Sequence, residues 1–295
     1  MSGFSQLGSS ARQVRSTTPK PEGWGSRYGA WFEERSAAER YHLRPPYPPE
    51  TFELLASLVA GPEPAVLDAG CGLGDIARPF APLVARVDAV DRSAAMLDAA
   101  RRMPGAEAEN LRWLGGDVED VSLAPPYALV VCGDSVHWFD WERVVDRFAE
   151  VLSPDGLLVL AQREWLRDER ILERLRPIYS RHGANPHFQP LDPVQELERR
   201  GLFGAIGRHV TAPHPWRPTL DELIGCHHSM SGFILEKMRD PEAFDRELAD
   251  AARDLPVGED GRYLLSVSAE LTWGRPVPDV RPRPGRPRRP PRTPG

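Results

Sequence analysis

The residues with the clearest chemical reading are Val66-Leu67-Asp68-Ala69-Gly70-Cys71-Gly72-Leu73-Gly74-Asp75. An apolar run ends in an acid, passes through glycines at i, i+2 and i+4, and continues into a helical pattern. Glycine tolerates positive φ and lets backbone come close to a ligand. The start of a helix carries N–H groups without intrahelical partners. A turn of this kind, at the carboxyl end of a parallel strand, is where open α/β sheets bind ligands. The spacing is near a dinucleotide fingerprint, since Gly72-x-Gly74-x-x-Ala77 is a permitted variant. A nicotinamide-dependent oxidoreductase therefore stays open as an alternative. Asp68 points away from it. A carboxylate there suits an ammonium group and repels a pyrophosphate, which favours a cationic ligand bearing an amino acid.

Two further loops extend the pattern. Asp91 ends the next apolar run, Arg86 to Asp91, 21 positions after Gly70. An acid about 20 positions past such a turn accepts hydrogen bonds from ribose hydroxyls. Gly115-Gly116-Asp117-Val118 follows the third run. Its aspartate can accept from an adenine amino group while Val118 covers the ring.

These loops need strands to carry them. Short apolar runs at 65–68, 86–91, 111–114, 127–132 and 157–161 alternate with helical patterns at 75–83, 94–102 and 141–152. Alternation of this kind predicts a parallel sheet covered on both faces. Further strands are expected near 203–211 and 262–272, the last one pairing back on the sheet. The expected fold is α/β and Rossmann-like: seven strands, mostly parallel, with one antiparallel strand and a helical cap. Before it, residues 26–41 read as helical, the prolines of 45–49 interrupt, and a helix restarts at Pro49.

The domain organisation follows from composition. Residues 1–25 are rich in Ser, Gly, Pro and Thr and read as a flexible leader. Residues 26–275 form one domain, in which 164–255 includes helical segments that cap the acceptor. Residues 276–295, rich in Arg and Pro, read as a disordered tail.

Charge narrows the partners. The chain carries −6 overall, yet the segment from Arg275 to Gly295 holds seven Arg and one Asp, so the remainder bears −12. An acidic body disfavours nucleic acid and anionic membranes as partners, and makes a tRNA substrate a minor alternative that rests on the basic tail. The three cysteines, Cys71, Cys132 and Cys226, form no paired motif, so neither a disulfide framework nor a metal site is expected. No apolar run reaches the ~18 residues of a membrane span. The start of the chain lacks the apolar stretch of a signal peptide. The expected location is cytoplasmic.

The whole pattern resembles the class I methyltransferases that use S-adenosylmethionine, in particular the methyltransferase type 11 group with its trans-aconitate-like enzymes. Besides the glycine turn, the likeness is carried by Arg44-Pro45-Pro46-Tyr47-Pro48, by His137-Trp138-Phe139-Asp140, by Val151 to Leu158 and by Thr272-Trp273-Gly274-Arg275-Pro276. The resemblance implies S-adenosylmethionine as cofactor. Asp68, Gly70, Cys71 and Gly72 would line its methionine part, Asp91 and Arg92 would flank its ribose, and Gly74 and Met96 would also belong to the cofactor site. Asp117 and Val118 would hold adenine, with Gly133 and Asp134 beside the sulfonium. Where many members have Ala-Gln, this chain has Gly133-Asp134. The implied reaction is methyl transfer to a small molecule, with carboxylate or hydroxyl oxygen ahead of carbon or nitrogen. His137 is the candidate general base, and Tyr41, Arg44, Trp138 and His228 are candidate acceptor contacts. A protein that binds the cofactor without catalysis is the other alternative.

Overall fold

The computed structural model describes residues 15–16, 18–165 and 169–279. Eight strands make one sheet: β1 (Ala65–Ala69), β2 (Arg86–Asp91), β3 (Leu111–Gly115), β4 (Tyr127–Gly133), β5 (Leu152–Trp165), β6 (Phe203–Val210), β7 (His214–Trp216) and β8 (Leu265–Pro276). Their order is β3-β2-β1-β4-β5-β8-β6, with β7 also paired to β8. The first five run parallel, and β8 is the antiparallel strand, between β5 and β6. This is the expected architecture with one strand more. β7, three residues holding a proline, is too short to leave a periodic pattern.

The helices are α1 (Ser26–Gly29), α2 (Arg35–Arg40), α3 (Pro49–Leu58), α4 (Ala77–Phe80), α5 (Ala94–Ala100), α6 (Trp141–Val151), α7 (Glu169–His182), α8 (Pro193–Arg199), α9 (Leu220–His227) and α10 (Pro241–Ala252). Local chemistry sets several of their ends. Pro49 opens α3 with the φ a first turn needs. The Asp140 carboxylate accepts from the Arg143 amide at the start of α6, and Thr219 and Glu222 form a reciprocal capping box on α9. Trp141, Val144, Val145, Phe148 and Val151 lie on one stripe of α6, which buries them.

The sheet is apolar on both sides because both sides are covered. β1 is buried along its whole length. On one side Leu67, Val130, Leu158 and Leu160 meet Phe148 of α6 and Leu197 of α8. On the other, Val66, Leu129, Val131 and Val159 meet Leu55 of α3 and Phe80 of α4. A separate cluster joins α7 and α10, with Leu175, Phe233, Phe244 and Leu248 at its centre.

The stretch read as a flexible leader is fastened to the rest of the protein at several points from Thr18 onward. The Arg200 guanidinium donates to the carbonyls of Thr18 and Pro19. The Lys20 ammonium donates to the carbonyls of His137 and Phe139, both at 2.7 Å, and lies over the Trp141 ring. Trp24 is buried and donates to the Gln189 carbonyl. Composition missed this, because one lysine and one tryptophan satisfied by distant carbonyls leave no local periodicity. Residues 1–14 and most of the expected tail, from 280, lie outside the described residues. Within that tail Pro276 still belongs to β8, and the Val277 amide donates to the Leu202 carbonyl.

Candidate active site

The parallel strands β1, β2, β3 and β4 end at one edge, and the loops that follow them enclose a cavity of about 270 Å³. Its floor is the glycine turn. Gly70, Gly72 and Gly74 have φ of 70°, 54° and 75°, which L side chains adopt only with strain. The close approaches add to this requirement. A Cβ on Gly70 would sit 2.6 Å from Ser135 Cβ, and one on Gly74 would sit 2.4 Å from the Trp113 ring. Gly74→Ala is therefore expected to cost about 2–4 kcal/mol, adding left-handed strain to overpacking of a fixed ring. Urea unfolding would read this directly. An unchanged midpoint would show that Trp113 moves aside freely.

The donors of this turn are already satisfied within the protein. The amides of Gly70 and Cys71 both donate to the Val90 carbonyl, that of Gly72 to Asp91 Oδ2, and that of Gly74 to the Cys71 carbonyl. A pyrophosphate-binding turn works through free amides, and none remains at these four positions. The cavity wall is also acidic. Asp91, Asp117, Glu119 and Asp140 stand against Arg92 and Arg143, and Asp134 is paired from behind by Arg163. Such a wall suits a cation and opposes a dinucleotide.

Asp91 holds two elements at once. Its Oδ2 takes the Gly72 amide and its Oδ1 takes the Ser93 amide, each at 2.8 Å. Burial raises its pKa, and those two amides pull it back. A carboxylate has about four acceptor positions, so after two amide contacts it can still accept from two vicinal hydroxyls.

The structure brings together Gly70, Gly72, Asp91, Arg92, Met96, Asp117, Val118 and Asp134 on the cavity wall. Four other predicted residues lie behind it. Asp68 is buried, and its Oδ2 accepts from the Ala77 amide at the start of α4. It caps a helix where a ligand contact was expected, because the chain turns back over it. Cys71 is buried between α4 and α5. Gly74 faces Trp113, and Gly133 faces Ile76 and the Tyr47 hydroxyl.

The candidate catalytic and acceptor residues divide in the same way. Tyr41 and Trp138 line the cavity. Tyr41 lies over Gly72, where an added Cβ would be 3.2 Å from its ring. His137 is off the wall. Its ring meets Trp24 edge-on at 4.9 Å, and burial pushes its pKa down to about 3, with Asp134 opposing and Lys20 and Arg44 adding to the shift. That makes it a poor base near neutrality. His228 is buried, with Nδ1 2.7 Å from the Phe233 carbonyl and Nε2 2.7 Å from Asp245. Its neighbour His227 is held by Tyr179 and the Leu223 carbonyl. Both histidines tie α9 to its neighbours α7 and α10, and sequence could not separate this role from acceptor contact. Arg44 lies beside the wall. It donates to the Ser229 hydroxyl and carbonyl and to the Tyr41 hydroxyl, and stacks on the Tyr41 ring at 4.1 Å.

Several wall residues gave no sequence signal. Ser26, Gly29 and Phe32 come over the cavity from the N-terminal side. Arg92 holds that side down through Glu33 at 3.1 Å and the Ser26 carbonyl at 3.3 Å. Ser135 hides in the loop after β4, its hydroxyl donating to the Ala69 carbonyl at 2.6 Å.

Residues 66–156, from β1 into β5, match the model of a family described as a methyltransferase domain. The malonyl-[acyl-carrier protein] O-methyltransferase of Yersinia pestis is 27% identical over 68% of this chain and 73% of its own length. The enzyme of the same name from Enterobacter lignolyticus is 36% identical, over 36% of this chain and 41% of its own. A Saccharomyces cerevisiae protein assigned as an S-adenosylmethionine-dependent methyltransferase is 26% identical over 41% of this chain and 43% of its own. Among solved structures, a protein from Anaeromyxobacter dehalogenans assigned to the type II methyltransferases superposes with a TM-score of 0.60. It is 23% identical and covers 80% of this chain and 99% of its own, a likeness of fold.

Proposed function

We propose that this chain, a class I S-adenosylmethionine-dependent methyltransferase by its matched domain, its relatives and its fold, methylates an oxygen of a small acceptor, a carboxylate before a hydroxyl. The carrying observation is the cavity itself: a glycine floor whose amides are satisfied, closed in by Asp91, Asp117, Glu119 and Asp140, with Asp134 already paired to Arg163. The residues present fit the cofactor. Asp91 would take the ribose hydroxyls, Asp117 and Val118 the adenine, and Gly70 and Gly72 would allow close approach of the amino-acid end. Bound there, the cofactor supplies a methyl group activated by sulfonium charge.

The protein's part is alignment and exclusion of water. Phe32, Tyr41, Trp138 and Phe139 wall the cavity with rings, and orientation of reacting groups is worth about 7–11 kcal/mol. A hydroxyl acceptor would need a base in reach. His137 is off the wall and its pKa is held near 3. A carboxylate acceptor needs no base. Among the described residues Arg44 makes no ion pair within 4 Å, and its guanidinium beside Tyr41 suits a carboxylate. The relatives from Yersinia and Enterobacter, by their names O-methyltransferases of a malonyl group, favour the same reading.

The test is incubation with methyl-labelled cofactor and a panel of carboxylic acids, alcohols and amines. Labelled products that release methanol in mild alkali are expected. Alkali-stable products alone would sink the carboxylate reading. His137→Gln is expected to keep kcat within about 3-fold of wild type, with no inflexion between pH 5.5 and 7.5 lost. A loss of about 10²-fold, the low end of what a general base contributes, would restore His137 to the chemistry.

A further inference from the structure

A buried and heavily engaged side chain near the cavity belongs to a residue outside every candidate set above. Arg163, near the end of β5, has a side chain only 4% exposed. Its Nε donates to Asp134 Oδ2 at 2.7 Å, and its amide to Asp134 Oδ1 at 3.1 Å. One terminal nitrogen donates to Asp75 Oδ2 and to the Pro45 carbonyl, both at 3.0 Å. The guanidinium also stacks on the Tyr47 ring at 4.5 Å. The Tyr47 hydroxyl donates to Asp134 Oδ2 at 3.1 Å.

Asp134 is the carboxylate on which these contacts converge. It is the only non-glycine residue with positive φ among the described residues, at 51°, and it lies on the cavity wall. Its position relative to a ligand follows from strand order. The cavity runs from the loop after β3, through the ends of β2 and β1, to the end of β4. With adenine at the first loop and ribose at Asp91, the sulfur end reaches the glycine turn and Asp134.

We propose that Arg163 is a positioning residue that neutralises Asp134, so that the wall nearest the sulfur carries no free carboxylate. This rests on the methyltransferase reading above. A free carboxylate there would bind a sulfonium cation more tightly than its transition state, in which the charge is leaving sulfur. Tight ground-state binding of this kind lowers turnover. With the Arg163 guanidinium and the Tyr47 hydroxyl on Asp134 Oδ2 and the Arg163 amide on Oδ1, the charge is balanced and the side chain is fixed.

The experiment compares two ligands of nearly one shape and different charge. Calorimetry gives the affinity ratio of S-adenosylmethionine, with its sulfonium, to S-adenosylhomocysteine, a neutral thioether. Arg163→Gln is expected to raise that ratio about 10-fold while lowering kcat. Arg163→Lys, which keeps the charge, should hold it within about 2-fold of wild type. Adding Asp134→Asn to Arg163→Gln should return the ratio to the wild-type value. Tyr47→Phe, which removes one donor and leaves the ion pairs, should raise it about 2–3-fold, and decides the matter if the Gln variant does not fold. An unchanged ratio in Arg163→Gln, or in Tyr47→Phe when that variant alone folds, overturns the proposal and leaves the methyltransferase reading intact. A wild-type protein that binds neither ligand overturns both.

Discussion

Asp91→Ala weakens S-adenosylhomocysteine binding by about 10²-fold or more, the largest functional effect expected of a single substitution here. Two hydrogen bonds from ribose hydroxyls to a charged acceptor are each worth about 1.5–3 kcal/mol, so together they set this scale. The carboxylate has a second duty, since its two amide contacts tie the glycine turn of β1 to the helix after β2. Alanine removes both. Asp91→Asn separates them: its one carbonyl oxygen can keep an amide contact, while its NH₂ group meets hydroxyl donors badly. Calorimetry on both variants, with thermal unfolding as the control for fold, makes the check. Undiminished binding by a folded Ala variant would remove ribose from this end of the cavity.

The second large effect concerns stability and pH. Asp68 is buried in the middle of the sheet's edge, and burial is the main cause that raises its pKa from 3.8 to about 7, with the Ala77 amide opposing and Asp75 and Asp91 adding to the rise. In the unfolded chain the group titrates near its ordinary value. Between about pH 4 and pH 7 the folded protein therefore holds a proton that the unfolded chain has lost. Stability must fall as pH rises through that window, and it levels off above about 7. The gap corresponds to roughly 4 kcal/mol as an order of magnitude. Asp68→Asn has no proton to lose, and its side-chain oxygen can still accept from the Ala77 amide. Relative to wild type, the Asn variant should gain about 2–4 kcal/mol between pH 4.5 and pH 8, read from urea midpoints at each pH. Parallel pH profiles for the two proteins would show that Asp68 is already ionised in the folded state near pH 4.

Both predictions rest on an acid that sequence picked out, and they show how far such reading reaches. Asp91 was found by distance along the chain, because a βαβ unit has a nearly constant length and returns the second strand beside the first. Asp68 stands out by its place before the glycines, but its orientation does not: a strand-end acid can turn outward to a ligand or inward to cap the next helix. Only the path of residues 70–77 decides between them. His137 stands out by its place after β4, but Trp24 and Lys20, more than a hundred positions away, pack against its ring and hold its carbonyl. Arg163 gave no signal, since one arginine after an apolar strand looks like any other in a chain that uses arginine for nearly every positive charge.

From the order of residues alone came the alternating strands and helices, the glycine floor and the acids at fixed intervals from it. These depend on periodicity and on steric limits of the backbone, which act between near neighbours. The tertiary structure decided which acids face the cavity, which histidines tie the outer helices together, and which buried cation pairs with Asp134. Those outcomes depend on burial and on charges brought within a few ångströms from remote parts of the chain, and no short window of residues contains them.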